Sequence, residues 1–555
     1  MRKNPDNDAQ RRSAVERIME MGGNRRDLLK AAFAAGLIPV LSGPARAFAQ
    51  SDATPVAGGT FYTLGHQDLT TLSPENGGAT VVWACLVQLF DCMYQVNENY
   101  ELEPVLAESH EVSADGLTYT FKLKSGVTFH NGDPLTSADV KYTIEWCKDP
   151  ANGSTRASNV ELVSKVETPD DTTVVITLTS ADVTFLVNVA PLLVYPSKYH
   201  AEVGEDKFGA APIGTGPFKL AATSDYSPAS FLELKANDAY FRGRPHFDVY
   251  RMDIAPEASA RFVALESGTA DHSMWSLNAD DNHSLEESGN FTVYKALSLA
   301  VNHIPLNNTH PFLSDKAARK ALITALDRQA TLEEVYKGDG QLATSNLSPG
   351  LGNWYSDQVT QYPYDADAAA KLLDDAGWAA GGDGKREKDG VKAAFTITAI
   401  SGDTQRRPIA EIAQALWSEL GVDVQIAEAQ VGDILAKLPK GELDASLFNW
   451  TYGGNNADPD ARDTLMTGAA NNFSQFSNAR VDELLDLAVT QQNVDERKAS
   501  YVEIQQIIAE EVPFVYNLYP QSYAFFNKRI KGLPEAALSS DSLIQKVYLF
   551  WKEEA

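Results

Sequence analysis

A chain of 555 residues is too long for one hydrophobic core and implies two or more domains. Its 44% hydrophobic and 22% charged residues describe an ordinary globular protein and exclude disordered, collagen-like and coiled-coil classes. A formal net charge of −28 argues against nucleic acid and anionic lipid as partners, since both would repel it.

The first predicted element is an export signal. Asn24-Arg25-Arg26-Asp27-Leu28-Leu29-Lys30 precedes an apolar run, Ala31 to Leu41, and then Ala45-Arg46-Ala47-Phe48-Ala49, a small-residue cleavage site. The expected mature protein starts after Ala49 and is periplasmic. The paired arginines resemble the twin-arginine type, with Asn24 where a Ser or Thr usually stands. The run falls well short of the ~20 apolar residues of a membrane span, and Gly36 and Pro39 interrupt it. A basic amphipathic helix retained on the protein is the alternative. Removing residues 1–49 deletes nine Lys/Arg and five Asp/Glu, which moves the charge from −28 to −32.

Alternation of apolar and polar residues predicts strands at Gly59–Gly65, 117–123, Val127–His130 and 173–178. Turn signals at Ser73-Pro74-Glu75, Asp115-Gly116 and Asn131-Gly132-Asp133-Pro134 separate several of these. Ser137 to Cys147 reads as a helix capped by Thr136 or Ser137. In the second half, helical spacing at Ala317–Ala325, Ala366–Ala376, Pro408–Leu420 and Val481–Thr490 alternates with strands at 394–400 and 422–426, the pattern of an α/β domain. Gly381 to Gly390 reads as a hairpin tip. Near the end, Pro513–Tyr519 and 522–526 read as two further strands.

Catalytic motifs are missing: no G-x-S-x-G, H-E-x-x-H, Walker A or strand-borne G-x-G-x-x-G. In Gly214-Thr215-Gly216-Pro217 the proline spoils a phosphate cradle. Asp271-His272 and Asp281-Asn282-His283 lack metal-ligand spacing and read as polar surface loops. Cys85, Cys92 and Cys147 read as buried thiols, with a Cys92–Cys147 disulfide as the alternative. The reading is therefore of a non-enzyme without cofactor or metal; an exported cofactor enzyme is the rival class.

The stretch Asn449-Trp450-Thr451-Tyr452-Gly453-Gly454-Asn455-Asn456-Ala457-Asp458-Pro459-Asp460 divides in two. Asp458 can cap a helix, Pro459 suits a first turn, and Asp460 favours the helix dipole. Trp450, Tyr452, Gly453, Gly454 and Asn455 form a candidate binding loop: flat apolar area, close backbone approach and uncharged donors and acceptors.

Residues 106–140, with Leu106-Ala-Glu-Ser-His-Glu-Val-Ser-Ala-Asp-Gly-Leu-Thr-Tyr-Thr-Phe-Lys-Leu at their start, resemble the signature of dipeptide- and oligopeptide-type (family 5) substrate-binding proteins of ABC importers. Ile213-Gly-Thr-Gly-Pro-Phe-Lys-Leu220, the Lys316–Arg328 segment, the Tyr364–Trp378 segment and Glu510-Glu-Val-Pro-Phe514 match in family order. The resemblance implies an α/β, bilobal periplasmic-binding-protein fold (type II, cluster C) with an extra subdomain inserted in lobe 1. The mapped segments are 51–80, 211–300 and 518–555 for lobe 1, 81–210 for the subdomain and 301–517 for lobe 2. It further implies a monomer that closes on a small solute and serves an ABC permease, or alternatively presents its ligand to a sensor.

Peptide binders of the family place an aspartate for the peptide amine three positions before the Asp-Pro pair; here that position is Asn455, an amide that cannot neutralise an ammonium. Arg406 and Arg407 stand where the family arginine for a ligand carboxylate lies, and read equally as two solvated charges. His66 and Gln67 occupy the other family cleft loop, and Trp354 with Tyr355 is a candidate aromatic wall.

Overall fold

The computed structural model describes residues 55–553, apart from 77–79, 190, 275–276, 402, 404–405, 453–458 and 538–539. The expected export signal lies outside them. β1 (Thr60–Gly65) falls where alternation predicts it, and α1 (Thr80–Leu89) follows. Val81, Val82, Cys85, Leu86 and Leu89 of α1 enter an apolar cluster with Phe61, Tyr250 and Phe526.

β2 (Ala107–Val112), β3 (Thr118–Leu123), β4 (Val163–Asp170) and β5 (Thr173–Leu178) form a separate antiparallel sheet in the order β2-β3-β5-β4. α2 (Ser137–Lys148) contributes Val140, Ile144 and Cys147 to the apolar cluster of Phe121 and Ile176. Its first turn is a capping box in which the Thr136 N–H donates to Asp139 Oδ2 at 2.8 Å. The strand expected at Val127–His130 does not form. The turn at Asn131–Pro134 folds the run back, with Phe129 N–H on Asp133 O, and His130 N–H is spent on Gly214 O.

β6 (Phe231–Ala236) lies antiparallel to β7 (Val249–Ile254), which runs parallel to β1. α3 (Ala258–Glu266) and α4 (Ala279–Glu287) bring Leu265 and Leu285 to a cluster with Leu64, Phe291 and Phe525. β8 (Phe291–Leu297) and β9 (Ala300–Pro305) then carry the chain out of this first lobe.

The second lobe comprises α5 (Lys316–Thr324), α6 (Arg328–Val335), β10 (Gly340–Leu342), α7 (Ala366–Asp375), β11 (Ala394–Ile400), α8 (Arg406–Glu419), β12 (Asp423–Ala429), β13 (Phe448–Thr451), α9 (Ala479–Thr490) and α10 (Val494–Glu511). β11 pairs in parallel with β12 and with Ala445–Ser446, over a core holding Leu322, Leu373, Ile397 and Trp417. Strand-helix alternation puts β-branched and aromatic residues in the sheet and amphipathic helices over it, as in α/β layers generally. The tip expected at 381–390 belongs to a three-stranded meander of Ala379–Ala380, Arg386–Lys388 and Val391–Lys392.

The two terminal strands predicted from the sequence are one, β14 (Phe514–Asn527). Its first residues pair with β9, Leu518 to Pro520 with β10, and Gln521 to Asn527 with β8. One strand therefore belongs to both lobes. Gly340 sits against it at φ 148°, where a Cβ would come within 2.6 Å of Tyr519 O, so only glycine fits. Pro520 has no N–H to give, but its carbonyl accepts from Ser298 N–H at 2.9 Å. The result is a bilobal α/β architecture joined by side-by-side crossings near Leu297–Ala300 and Pro520.

Candidate functional site

Above those crossings opens a cleft of about 1430 Å³, larger than the ~300–1,000 Å³ of most small-molecule pockets. Leu297 to Ala300 and Pro520 to Ser522 form its floor. Along β14, burial relaxes only at Pro520, Gln521, Ser522 and the terminal Asn527. One side carries Trp83, Arg156, Arg261 and Asn282; the other carries Tyr336, Arg406, Asn449 and Thr451.

Strand alternation explains the second side. In β13, Asn449 and Thr451 line the cleft, so Phe448 and Trp450 turn to the opposite face. There Phe448 and Trp450 pack on Phe473, Trp450 edge-on with centroids 5.8 Å apart. Trp450 is thus corrected from ligand contact to packing residue. Tyr452 is corrected likewise: it is fully buried among Leu465, Leu485 and Tyr516, with Thr464 Oγ1 donating to its hydroxyl at 3.2 Å. Gly453, Gly454 and Asn455 lie outside the described residues. The helix expected from Pro459 starts at Arg462, and Asp460 Oδ1 accepts the Arg462 N–H at 3.0 Å.

A ladder of buried amides orients Asn449. Asn517 Nδ2 donates to Asn302 Oδ1 at 3.0 Å, and Asn302 Nδ2 donates to Asn449 Oδ1 at 2.7 Å. That polarity occupies the Asn449 acceptor and leaves its Nδ2 donor for the cleft.

Arg406 begins α8 and lines the cleft; Arg407 does not. Asp403 takes Arg406 N–H and Nη1, both at 2.8 Å, while Arg406 Nε is buried without a partner. The Tyr336 hydroxyl, also in the lining, is unpartnered too, and burial pushes it up to about 12. Both are donors set in residues of the cleft wall and closed to solvent. Arg407 points to the surface, where Glu411 and Glu428 pair with it.

His66 and Gln67 are half-buried and do not line the cleft. His66 stands beside Arg261; burial first, and that cation second, hold its imidazole below the usual range. Arg261 is the residue that reaches the cleft, with Nη1 fixed by the carbonyls of Ala255 and Pro256. Trp354 is no cleft wall either. It is buried edge-on against Tyr501, and Arg497 and Lys498 lie over its ring. Tyr355 bonds Thr344 through its hydroxyl.

Asp271 and His272, expected in a surface loop, are buried. Arg529 and Lys552 each reach Asp271 at 2.7 Å, and burial lowers His272 to about 3. No group of metal-ligating side chains occurs among the described residues, and the three cysteines are buried and free.

Residues 101–473 match the family model described as bacterial extracellular solute-binding proteins, family 5. The chain belongs to that family. Among family relatives, heme-binding protein A of Haemophilus influenzae is 29% identical over 473 residues, covering 80% of this chain and 83% of that protein. Oligopeptide-binding protein AppA of Bacillus subtilis is 29% identical over 458 residues, again covering 80% and 83%. The solved structure of AppA with a nonapeptide superposes with a TM-score of 0.76 at 26% identity, covering 90% of this chain and 100% of that one. As a family 5 solute-binding protein, the chain carries its cleft where two lobes meet, and no helix among its described residues is long and apolar enough to cross a membrane.

Proposed function

We propose that this family 5 protein captures a peptide-like or related small organic solute in the interlobe cleft and delivers it to an ABC permease, without covalent chemistry. The observation that carries the reading is the cleft itself: about 1430 Å³, floored by two strand crossings, with donors from both lobes turned inward. Only a closed form lets both lobes touch one solute, so binding shifts an open–closed population. In this reading lobe 1 comprises 51–80, 211–300 and 518–555, the inserted subdomain 81–210, and lobe 2 residues 301–517. The protein acts as a periplasmic monomer, exported through a twin-arginine-like signal cleaved near Ala49.

Relatives whose names specify oligopeptide or heme leave the ligand class wide. Arg406 and Tyr336 support an oxygen-bearing or anionic ligand group. Asn455, in place of an aspartate, argues against a ligand recognised by its free amine. The test is a thermal-shift panel of dipeptides, longer peptides, opine-like conjugates, oligosaccharides, nickel chelates and heme. A true ligand at a hundredfold excess over Kd stabilises by about 2.7 kcal/mol. A panel in which nothing raises the melting temperature or alters tryptophan fluorescence overturns the solute-binding reading.

A further inference from the structure

Seven acidic, basic or histidine side chains among the described residues line the cleft, and most are occupied. Asp339 takes His283 and Tyr523, Glu411 takes Arg407, Arg406 holds Asp403, and Arg261 is spent on backbone carbonyls. His272 is buried against Thr63. Among the described residues, Arg156 and Glu334 are left with no side-chain hydrogen bond or ion pair. Glu334 is exposed on α6 and solvated. Arg156 is half-buried on the first side of the cleft, with its guanidinium 5.5 Å from the Trp83 ring centroid.

The placement of Arg156 is built. The Glu75 carbonyl accepts from Thr155 N–H at 2.9 Å, Thr155 Oγ1 at 2.8 Å and Ser154 Oγ at 3.3 Å. Those three bonds fasten the loop to the turn ahead of α1, and they hold the guanidinium over the ring of Trp83 on α1. A guanidinium whose contact is with an aromatic ring, and not with a carboxylate, keeps its N–H groups for an anionic acceptor.

A second observation stands beside it. A recess of about 20 Å³ lies next to the cleft and shares Trp83, Val96 and Gln545 with it. Gln95 lines the recess, is 7% exposed, and its Nε2 has no partner. A donor buried to that degree destabilises the fold unless an acceptor satisfies it. Asp91 lines the same recess with both oxygens taken by Thr215 and Tyr240, so a second anion is excluded and a small neutral acceptor is favoured.

We propose that Arg156, held over Trp83, is a carboxylate subsite of the cleft, and that the adjoining recess takes a short uncharged acceptor group of the same solute at Gln95 Nε2. The inference rests on the solute-binding reading and narrows it to carboxylate-bearing solutes. N-acetyl-alanyl-glutamate, N-acetyl-alanyl-glutamine and the C-terminal amide of each, none with a free amine, are titrated by calorimetry and fluorescence against the whole protein. The expected result is that at least one carboxylate binds about ten- to hundredfold more tightly than its carboxamide counterpart, the span of a charge-assisted hydrogen bond. Arg156→Gln abolishes the preference, Arg156→Lys restores part of it, and Trp83→Phe removes the ligand-induced fluorescence change. Equal binding of acid and amide, or a preference that survives Arg156→Gln in a variant with unchanged melting temperature, overturns the subsite and leaves solute binding intact. Failure of all four probes while an uncharged sugar shifts the melting temperature also overturns it alone, as does binding of heme or a carboxylate-bearing chelate that Arg156→Gln leaves unchanged. Failure of every compound overturns both readings.

Discussion

Arg462 of the second lobe reaches Asp182, which follows β5 of the separate antiparallel sheet, Nη1 to Oδ2 at 2.9 Å. Asp182 is 3% exposed and also accepts the N–H and hydroxyl of Thr184. One residue on, Val183 N–H donates to Val489 O at 2.8 Å, so a short clasp ties the segment after β5 to the end of α9. Arg462→Met leaves Asp182 with only its Thr184 bonds and is expected to cost about 1–2 kcal/mol, the Arg side chain being partly solvated. The ligand-free protein should become less compact, and small-angle scattering checks this: an unchanged radius of gyration means that the clasp does not bias the lobes.

Glu75 is 1% exposed and sets a pH dependence. Burial pushes its carboxyl up to about 7, Arg156, the Cys147 thiol and Leu193 N–H oppose the shift, and Glu205 reinforces it; Tyr195 also borders it. Unfolded, the same carboxyl ionises near 4.5. Between those values the folded chain holds the extra proton, so stability present below 4.5 is lost as pH rises to about 7, by about 3 kcal/mol. Glu75→Gln should be the more stable protein at pH 8 and equal the parent at pH 4. Denaturant midpoints across that range measure it; parallel curves would refute the ionisation account.

The amide ladder gives a paired prediction. Asn302→Ala strands Asn517 Nδ2 and Asn449 Oδ1 and should cost about 1–3 kcal/mol. Asn449→Ala strands one buried donor, Asn302 Nδ2, against the two groups stranded by Asn302→Ala, so stability should fall by less than in Asn302→Ala while affinity for a true ligand falls roughly tenfold. Equal losses of stability in the two variants would mean that Asn449 is structural.

Tyr452→Phe tests the corrected loop reading. Loss of the Thr464 bond should lower stability by about 1 kcal/mol and leave ligand affinity unchanged. A weakened affinity would return Tyr452 to the binding surface.

Asn455→Asp should strengthen binding of free-amine peptides by about tenfold or more, because a carboxylate neutralises the ammonium that an amide only solvates. Unchanged peptide titrations would separate this position from amine recognition.

Most of the elements were legible because period and capping agreed with burial: β1, α2, α7 and β11 begin and end within a residue or two of their sequence patterns. α10 was missed, since its apolar residues give it almost no one-sided pattern. Its start is nonetheless marked by Asn493, which accepts from the N–H groups of Asp495 and Glu496. The cleft was less legible. An aromatic, glycine-rich stretch reads as a binding loop, yet the side chains that face the cleft are decided by the parity of β13, which favours Asn449 and Thr451 over Trp450. Arg156, Arg261 and Tyr336 come to the same space from distant parts of the chain, and no local spacing announces them.

β14 carries a mechanical consequence. Two hydrogen-bonded strands resist stretching and shear along their length far better than they resist twist. Rotation of the lobes about Pro520–Ser522 then moves the floor of the cleft little and its rims most. A fluorescent pair meant to report occupancy belongs on the rims, and a reporter group at the floor would sense the solute's chemistry with little contribution from the swing.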